Sequence, residues 1–589
     1  MKKSVSVVLV CLAIATVAPA QMTPDQKMLD FSELAATYAM NYGPIQWKRD
    51  LLNFDLLNIG DWLNKAMATK DDLDFYEVCV AYVASLNDAH DAFNLPSDFQ
   101  AYLGFTVDVY DGKTIIEFID RTLLRTRDYP FQVGDELVSV DGVATADLLQ
   151  QFIPYSIAAN PLSTRRIAAD SITFRSQAYM PHAHEIPDVS TVVINRQTGG
   201  TQSFAIPWAK VGTPITVVGP VISPFSGSVA QAKPKATAPA KPHSTAMPAY
   251  MEPLLKLRNF RMPERKAILG FGEPQPVFTL PSNFVLRQGS DPFFDFFYSG
   301  TYQAQGKNIG YIRIPSFDTF LPSDDFQTEI DYMQQNTDGL IVDIMRNPGG
   351  DLCAAEDLLT RIIPVQFQNI GLEIRATRAW LAAFQQAVQD AEDFGAPPEI
   401  VKQLQDLLKQ VTDAFLTPSG RTPPLPVCDT TLNVSPATDD GGNPIAYTKP
   451  VMLLTDELTA SAADYFAAVF QDNQRGTIFG NRTMGAGGNV DTFQVTTYSE
   501  GTATLTESLM HRLNPVATPD YPTAPYIENI GVRPDITQDY MTVNNLQNNG
   551  AAFVQAFTDA AVTLINSGSK STGTIPELPK RETVPPHHR

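Results

Sequence analysis

The chain has 589 residues and a formal net charge of −21, from 64 acidic and 43 basic side chains. This acidity argues against nucleic acid or an anionic membrane surface as the main partner, and the length predicts several domains. The 4 cysteines and 7 histidines form no CxxC pair and no clear set of metal ligands, so we expect neither a metal nor another cofactor.

Residues 1–20 have the features of a secretory signal peptide. Two lysines precede an apolar run, and Ala18-Pro19-Ala20 comes directly before Gln21, which predicts cleavage after Ala20. Elsewhere the apolar runs are too short for a transmembrane helix. We therefore expect a secreted or periplasmic protein without a membrane span.

Three further regions precede the core of the chain. Residues 21–96 carry apolar residues at helical spacing, as in LDFYEVCVAYVASL, and predict a helical region. Residues 97–215 predict strands, with a hairpin in YLGFTVDVYDGKTIIEFI around Asp111-Gly112. Residues 216–250 are rich in Ala, Pro, Ser and Lys and predict an extended linker. This linker is either a simple tether or an inhibitory or processing segment.

Residues 251–540 alternate buried strands such as GLIVDIM with helices, which predicts an α/β core. A helical hairpin is inserted at 374–420, as either a lid or a dimer contact. A C-terminal helix is expected at 541–565 and a polar, disordered tail at 566–589. The mature chain keeps three cysteines, and the sequence leaves a bond between Cys353 and Cys428 open.

Ser461 is the strongest candidate for a nucleophile. It follows the buried strand PVMLLT and opens an apolar helix, so its own amide and that of Ala462 lie at the positive end of the helix. Such a turn suits a nucleophile whose attack creates an oxyanion. The alternative is that Ser461 is only a helix N-cap.

The general base and its acid remain open from the residues alone. Histidine suits the role of base because its ordinary pKa lies near 6.5. The candidate bases are His90, His182, His184 and His511, and the nearby candidate acids are Asp88, Asp91 and Asp464. Asp464 is better placed to stabilise the N-terminus of the helix.

The segment TASAAD, followed by QDNQRGTIFGNRTMGAGG, resembles the nucleophile region of the C-terminal-processing (tail-specific) serine proteases. The resemblance implies that Ser461 is the nucleophile. Members of that family usually carry a lysine base in a G-K-G loop, but the matching position here is Ala486. A different base is therefore needed.

Three other pieces resemble the Ser-His-Glu branch of this family, which is typified by the chlamydial protease-like activity factor: NDAH, GAGGNVDTFQV and YIENIGVRPDI. The resemblance implies a triad of Ser461, His90 and Glu528. It also places an oxyanion donor at Gly350, in the turn RNPGGD, where Pro348 and Asp351 depart from the family pattern. The amide of Ala462 is the expected second donor.

The piece GDELVSVDG resembles a PDZ domain, and YLGF resembles its carboxylate-binding loop. This resemblance implies that Leu103, Gly104 and Phe105 bind a peptide.

The sequence thus predicts a multidomain α/β protein with an N-terminal helical region, a PDZ-like β-rich domain, and a protease core of the ClpP/crotonase-like type with a helical hairpin insert. We expect an exported serine endopeptidase that acts on polypeptides, needs no cofactor and could form a homodimer. The alternatives are a catalytically silent peptide- or apolar-ligand-binding protein, which the missing lysine favours, and an esterase or amidase with the same triad.

Overall fold

The computed structural model describes residues 21–568 apart from residues 54, 157, 217–247, 262–269, 292–294 and 319–320. The predicted signal peptide, nearly all of the predicted linker and the tail from residue 569 lie outside the described residues. Among the described helices, none combines the length and the hydropathy needed to cross a bilayer.

Four helices form the N-terminal region, and their apolar faces pack on one core that includes Phe31, Tyr38 and Tyr82. A capping box between Thr23 and Gln26 starts the first helix. The helices are α1 (Pro24–Asn41), α2 (Ile45–Leu52), α3 (Gly60–Met67) and α4 (Asp72–Ala84). A short strand, β1 (Ala92–Asn94), follows them.

The PDZ-like domain contains a mostly antiparallel sheet in the order β3-β4-β5-β8-β9, with β6 paired to β5, and a small sheet in the order β10-β2-β7. Its elements are β2 (Gln100–Tyr102), β3 (Phe105–Tyr110), β4 (Lys113–Ile119), β5 (Glu136–Val140), β6 (Val143–Ala144), α5 (Thr145–Phe152), α6 (Pro161–Thr173), β7 (Phe174–Ser176), β8 (Val189–Arg196), β9 (Gly200–Pro207) and β10 (Ala209–Val211). Helix α6 packs against β3.

The first half of the core begins after the linker and includes the helical hairpin α10–α11. Its elements are α7 (Glu252–Arg258), β11 (Asn259–Arg261), β12 (Val285–Gln288), β13 (Tyr298–Ala304), β14 (Lys307–Arg313), α8 (Ser323–Asn336), β15 (Gly339–Asp343), β16 (Gly349–Asp351), α9 (Leu352–Thr360), β17 (Phe367–Gln368), β18 (Gly371–Ile374), α10 (Arg378–Asp393) and α11 (Pro398–Phe415). A disulfide joins Cys353 in α9 to Cys428 beyond the hairpin.

The second half of the core supplies the nucleophile helix and the C-terminal helices. Its elements are β19 (Asn433–Val434), β20 (Val451–Thr455), α12 (Ala462–Asp472), β21 (Thr477–Gly480), β22 (Val490–Gln494), β23 (Thr502–Thr506), β24 (Ser508–Val516), β25 (Ala524–Tyr526), β26 (Ile536–Thr537), α13 (Val543–Gln547) and α14 (Ala551–Ser567). Strand β1 pairs with β23 and thereby ties the N-terminal region to the core.

A seven-stranded sheet in the order β12-β13-β14-β15-β20-β21-β26 organises the core. Neighbouring strands are parallel from β14 to β26. Successive residues of β15 point to opposite faces: Val342 joins the cluster that contains α12, and Ile341 joins the cluster that contains α14. The carboxyl ends of β15 and β20 lead to Gly349 and Ser461, at the edge where open α/β sheets place their sites. The predicted multidomain α/β fold is confirmed.

Candidate active site

Ser461 lies on a strained turn between β20 and α12. Its backbone has φ 63° and ψ −117°, a conformation that residues other than glycine rarely adopt. The Ser461 amide donates a 2.8 Å hydrogen bond to Oδ2 of Asp464. Because this amide is already engaged, the Ala462 amide is the one left to serve an oxyanion.

Asp464 supports the turn and is not part of a relay to a histidine. Besides the Ser461 amide, its carboxylate accepts the amides of Gly485 and Ala486, both at 3.0 Å, and the hydroxyl of Thr483. Burial raises its pKa to about 6, against the lowering effect of these bonds. Asp464 therefore fixes the glycine loop against the start of α12.

His90 reaches the nucleophile from the segment between α4 and β1. Its Nε2 atom lies 2.8 Å from Oγ of Ser461, and both residues are fully buried. The backbone amide of His90 donates to Oδ1 of Asp88 at 3.0 Å. Burial lowers the pKa of His90 to about 4, although the charge of Asp88 acts to raise it. A neutral imidazole in this position can accept the Ser461 proton.

Glu528 lies in the same buried cluster but does not contact the histidine directly. Its Oε1 atom is 2.5 Å from Nζ of Lys48, and its Oε2 atom accepts the Gly487 amide at 3.0 Å. In the part of the chain that the structure describes, Nδ1 of His90 is buried without a hydrogen-bond partner. The sequence predicted an acid that orients the histidine, and the structure shows no direct bond for that role.

The Gly349-Gly350 turn approaches Ser461 closely. A Cβ atom on Gly349, which has φ +89°, would lie 2.7 Å from both the Ala462 amide nitrogen and Cβ of Ser461. Only glycine fits there. On either side of Gly350, the Gly349 carbonyl accepts a hydrogen bond from the Phe317 amide, and the Asp351 amide donates one to the Phe317 carbonyl. Because successive strand amides point to opposite sides, the Gly350 amide points away from Phe317.

Strand β11 covers this turn. It pairs antiparallel with β16, so that Phe260 faces Gly350. A Cβ atom placed on Gly349 would lie 2.3 Å from the Phe260 carbonyl oxygen and 2.7 Å from the Ala462 amide nitrogen. The Phe260 carbonyl therefore lies beside the candidate oxyanion site. Ser461 itself is fully buried.

The other three candidate histidines contact different residues. His511 bonds Glu373 at 2.7 Å through Nδ1, and His184 contacts Gln177 at 3.0 Å. His182 lies near Asp74 and Glu185. The partners that the structure gives these histidines do not include Ser461.

The predicted carboxylate-binding loop has its first amide engaged within the domain. The Leu103 amide donates to the Thr173 carbonyl at the end of α6, and the Leu103 and Phe105 side chains are buried in the PDZ-like core. Gly104 has φ +81°, and a Cβ there would lie 3.0 Å from Leu124. Peptide binding by Leu103, Gly104 and Phe105 stays a prediction.

A cavity of about 950 Å³ lies next to this domain. Its lining comes from both the PDZ-like domain and the core, and includes Tyr102, Thr106, Glu117, Arg346 and Tyr540.

No pattern in the sequence marks Lys48, since its helix segment IQWKRDLL looks like an ordinary amphipathic helix with solvent-facing charges. Its burial becomes visible only in the folded chain, where the turn of Glu528 packs against α2 although the two residues are 480 positions apart.

The fold and the site geometry define a class: an α/β core with a serine on a strained turn, a histidine within hydrogen-bond distance of it, and a glycine turn close to the serine. Residues 308–538 match the family model of peptidase family S41, and residues 99–215 match that of the PDZ domain. The core of the chain is therefore similar to peptidase family S41 over these residues, and the protein is a serine-type peptidase.

Related sequences and structures cover most of the chain. A protein of Chlamydia trachomatis serovar D is 24% identical over 566 residues, with 88% of this chain and 90% of the relative covered. A carboxyl-terminal-processing protease of Synechocystis is 24% identical over 276 residues, 46% of this chain and 48% of the relative. The crystal structure of mature CPAF superimposes with a TM-score of 0.70 at 22% identity, covering 92% of this chain and 98% of that one, and so shares the fold.

Proposed function

We propose that this peptidase is an exported serine endopeptidase with Ser461 as nucleophile, His90 as general base and Glu528 as the acid of the site. The observation that carries the proposal is the 2.8 Å contact between His90 Nε2 and Ser461 Oγ on a strained strand-to-helix turn. The Ser461 proton passes to Nε2 as Oγ attacks the scissile carbonyl, and returns to the leaving amine.

The amides of Gly350 and Ala462 hold the oxyanion in this proposal. Gly349 approaches the Ala462 amide closely, and Gly350 is the next residue. This approach supports the proposal, because it brings the Gly350 and Ala462 amides to the same side of the nucleophile turn. One such donor contributes about 3 kcal/mol to transition-state stabilisation.

Glu528 would act on His90 through its negative charge rather than through a direct bond. The imidazolium that forms when His90 takes the proton is buried, and a nearby carboxylate stabilises it. Asp88 competes for this role, because its charge acts to raise the pKa of His90 and its carboxylate binds the His90 amide.

Export is supported by the signal-like residues 1–20 and by the disulfide between Cys353 and Cys428, a bond typical of oxidising compartments. The homodimer expected from the sequence stays a prediction. The predicted substrate is a polypeptide chain, which the peptidase family supports.

The test combines hydrolysis of an unstructured polypeptide with labelling by a fluorophosphonate that reacts with activated serines. We expect Ser461→Ala to lose both signals, with a fall in turnover on the order of 10⁶-fold. Exposed Ser419 provides the control, since Ser419→Ala removes a hydroxyl far from the site.

Both measurements are repeated in a Phe260→Ala background, because β11 covers the nucleophile. Hydrolysis by purified Ser461→Ala at the wild-type rate in either background would refute the serine mechanism.

A further inference from the structure

Lys48 of α2 is fully buried beside the candidate acid. Its side chain is 1% exposed, and that of Glu528 is 0% exposed. The ammonium group contacts Oε1 of Glu528 at 2.5 Å, Oδ1 of Asn529 at 2.7 Å and the Asn87 carbonyl at 2.9 Å. A lysine ammonium has three N–H donors, and all three are used here.

These contacts join the segment of the base to the segment of the acid. Asn87 lies three residues before His90, and Asn529 directly follows Glu528. Asn87 and Asn529 both have positive φ, 50° and 66°, so each turn is held in a conformation that needs support. The Lys48 ammonium supports both turns, because it donates to the Asn87 carbonyl and to the Asn529 side chain.

The cluster around Glu528 is rich in acids. Asp88, Asp91 and Glu528 are all buried, with Tyr38, Tyr42, Tyr521 and His90 as the other titratable groups that face them. Lys48 supplies a positive charge to this set. Burial, together with the charge of Asp88, raises the pKa of Glu528 well above its usual range, and Lys48 and the Gly487 amide oppose this rise.

From this geometry we propose that Lys48 is a positioning residue of the peptidase: it favours the ionised form of Glu528 and holds the turn of Glu528 against the segment that carries His90. The proposal rests on the function proposed above. Without Lys48, the ionised form of Glu528 would be less populated at any given pH, and the imidazolium formed at His90 would lose part of a stabilising negative charge.

Lys48 does not act as the base itself. Its three donors are engaged with Glu528, Asn529 and Asn87, and the Ser461 hydroxyl is already within reach of His90. The lysine of this chain thus differs in role from the G-K-G lysine of related proteases, whose position is taken by Ala486.

The experiment uses two variants of the full chain. Lys48→Gln retains a donor for Glu528 without its charge, and Lys48→Met removes both. We expect each to lower kcat/KM at pH 7 by at least tenfold, mainly through kcat. The rising limb of the pH profile should move to higher pH, because a carboxyl without its cation ionises later, and part of the activity should return near pH 9.

The control for general effects of charge loss is Lys70→Met, at an exposed position outside this cluster. The bond between Asn529 Nδ2 and the Asn87 carbonyl, 2.7 Å, remains in both Lys48 variants and helps the two segments to stay together. Thermal unfolding monitors the fold of each variant.

A double-mutant cycle separates charge from structure. If Lys48 acts through Glu528, then Lys48→Gln should cause no further loss in a Glu528→Gln background. An unchanged pH profile in Lys48→Gln, or a full additional loss in the double variant, would overturn the proposal. Wild-type activity of Glu528→Gln would instead show that the proposed acid is wrong, and activity in Ser461→Ala that the serine mechanism is wrong.

Discussion

At His90, burial sets the pH range in which the base can work. The imidazole is fully buried, and its pKa is lowered to about 4 from an ordinary value near 6.5. A base must be neutral to accept a proton, so protonation of the base lowers activity only when the pH falls through the pKa of His90. We predict that the acid limb of kcat/KM has an apparent pKa below 6.5 in Glu528→Gln, where the Glu528 carboxyl no longer titrates.

The measurement is a pH profile of peptide hydrolysis for Glu528→Gln, for the wild type and for His511→Ala, whose histidine contacts Glu373 on another part of the core. His511→Ala should leave the wild-type acid limb in place, and His90→Ala should be nearly as inactive as Ser461→Ala. An acid limb at pH 7 or above in Glu528→Gln would contradict the assignment of His90 as a buried neutral base.

Glu528→Gln is predicted to lower kcat by about 10²- to 10⁴-fold, less than the loss of Ser461. The carbonyl oxygen of the glutamine can still accept a hydrogen bond from either Lys48 or the Gly487 amide, but its NH2 group then faces the other donor, and the side chain cannot stabilise an imidazolium by charge. The comparison is Asp88→Asn, measured with the same peptide. If Glu528→Gln keeps full activity and Asp88→Asn is folded but inactive, Asp88 is the acid of the site.

The site was predictable where its residues share one local motif. Ser461 and Ala462 follow from a strand-to-helix turn that can be read directly from the sequence. Glu528, by contrast, was predicted only through the resemblance to the Ser-His-Glu branch. Lys48 was predicted neither by a local motif nor by the resemblance. The Leu103 amide is used by Thr173, 70 residues later, and no local motif shows such a partner. Long-range contacts decide which donors are free.

At the scale of elements, the three-residue strand β11 covers the candidate site. Phe260 is fully buried among the apolar residues of the core, and its carbonyl lies beside the proposed oxyanion turn. We expect a polypeptide substrate to add its backbone to the same edge of β16. Substrate and β11 would then compete for the Gly349–Asp351 strand.

We predict that Phe260→Ala raises the rate of peptide hydrolysis, because β11 loses the buried side chain that anchors it. Truncation of a buried Phe costs about 3–5 kcal/mol. The matched control is Phe326→Ala in α8, which removes an equally buried ring that packs on Phe297. If Phe260→Ala is folded and no more active than Phe326→Ala, the strand does not limit access.

The long elements were predictable because their apolar periodicity is strong. The helical hairpin, the sheet strands around GLIVDIM and PVMLLT, and the C-terminal helix all carry such patterns. Strands β11 and β16 have three residues each, too few for a period, and their pairing depends on the route of the chain through the core. The sequence therefore predicted the architecture, but it did not predict that strand β11 pairs with β16 beside the candidate site.

At the scale of the whole molecule, Arg166 of the PDZ-like domain joins that domain to both catalytic turns. Its guanidinium lies 2.8 Å from Asp108 in the same domain, and 3.7 Å from Asp456 and from Glu457 in the core. Asp456 in turn accepts the Arg346 amide at 2.9 Å. Arg346 begins the turn that contains the proposed oxyanion donor, and Asp456 begins the turn that leads to Ser461.

Arg166 is 1% exposed, so its removal leaves Asp108 and Glu457 buried without this cation and leaves Asp456 paired with Arg346 alone. We predict that Arg166→Met lowers the free energy of unfolding by about 3–5 kcal/mol. It should also lower kcat, because the Asp456 carboxylate would no longer hold the two turns in register. Thermal unfolding and peptide hydrolysis are measured together.

Arg125→Met, at an exposed position of the same domain, provides the control for loss of a surface charge. Adding Asp108→Asn to Arg166→Met removes one of the unpaired acids and should recover part of the stability. It should not recover kcat, since Asp456 would still lack its contact with Arg166. If Arg166→Met unfolds earlier but keeps the wild-type kcat at low temperature, the PDZ-like domain stabilises the core without shaping the catalytic turns.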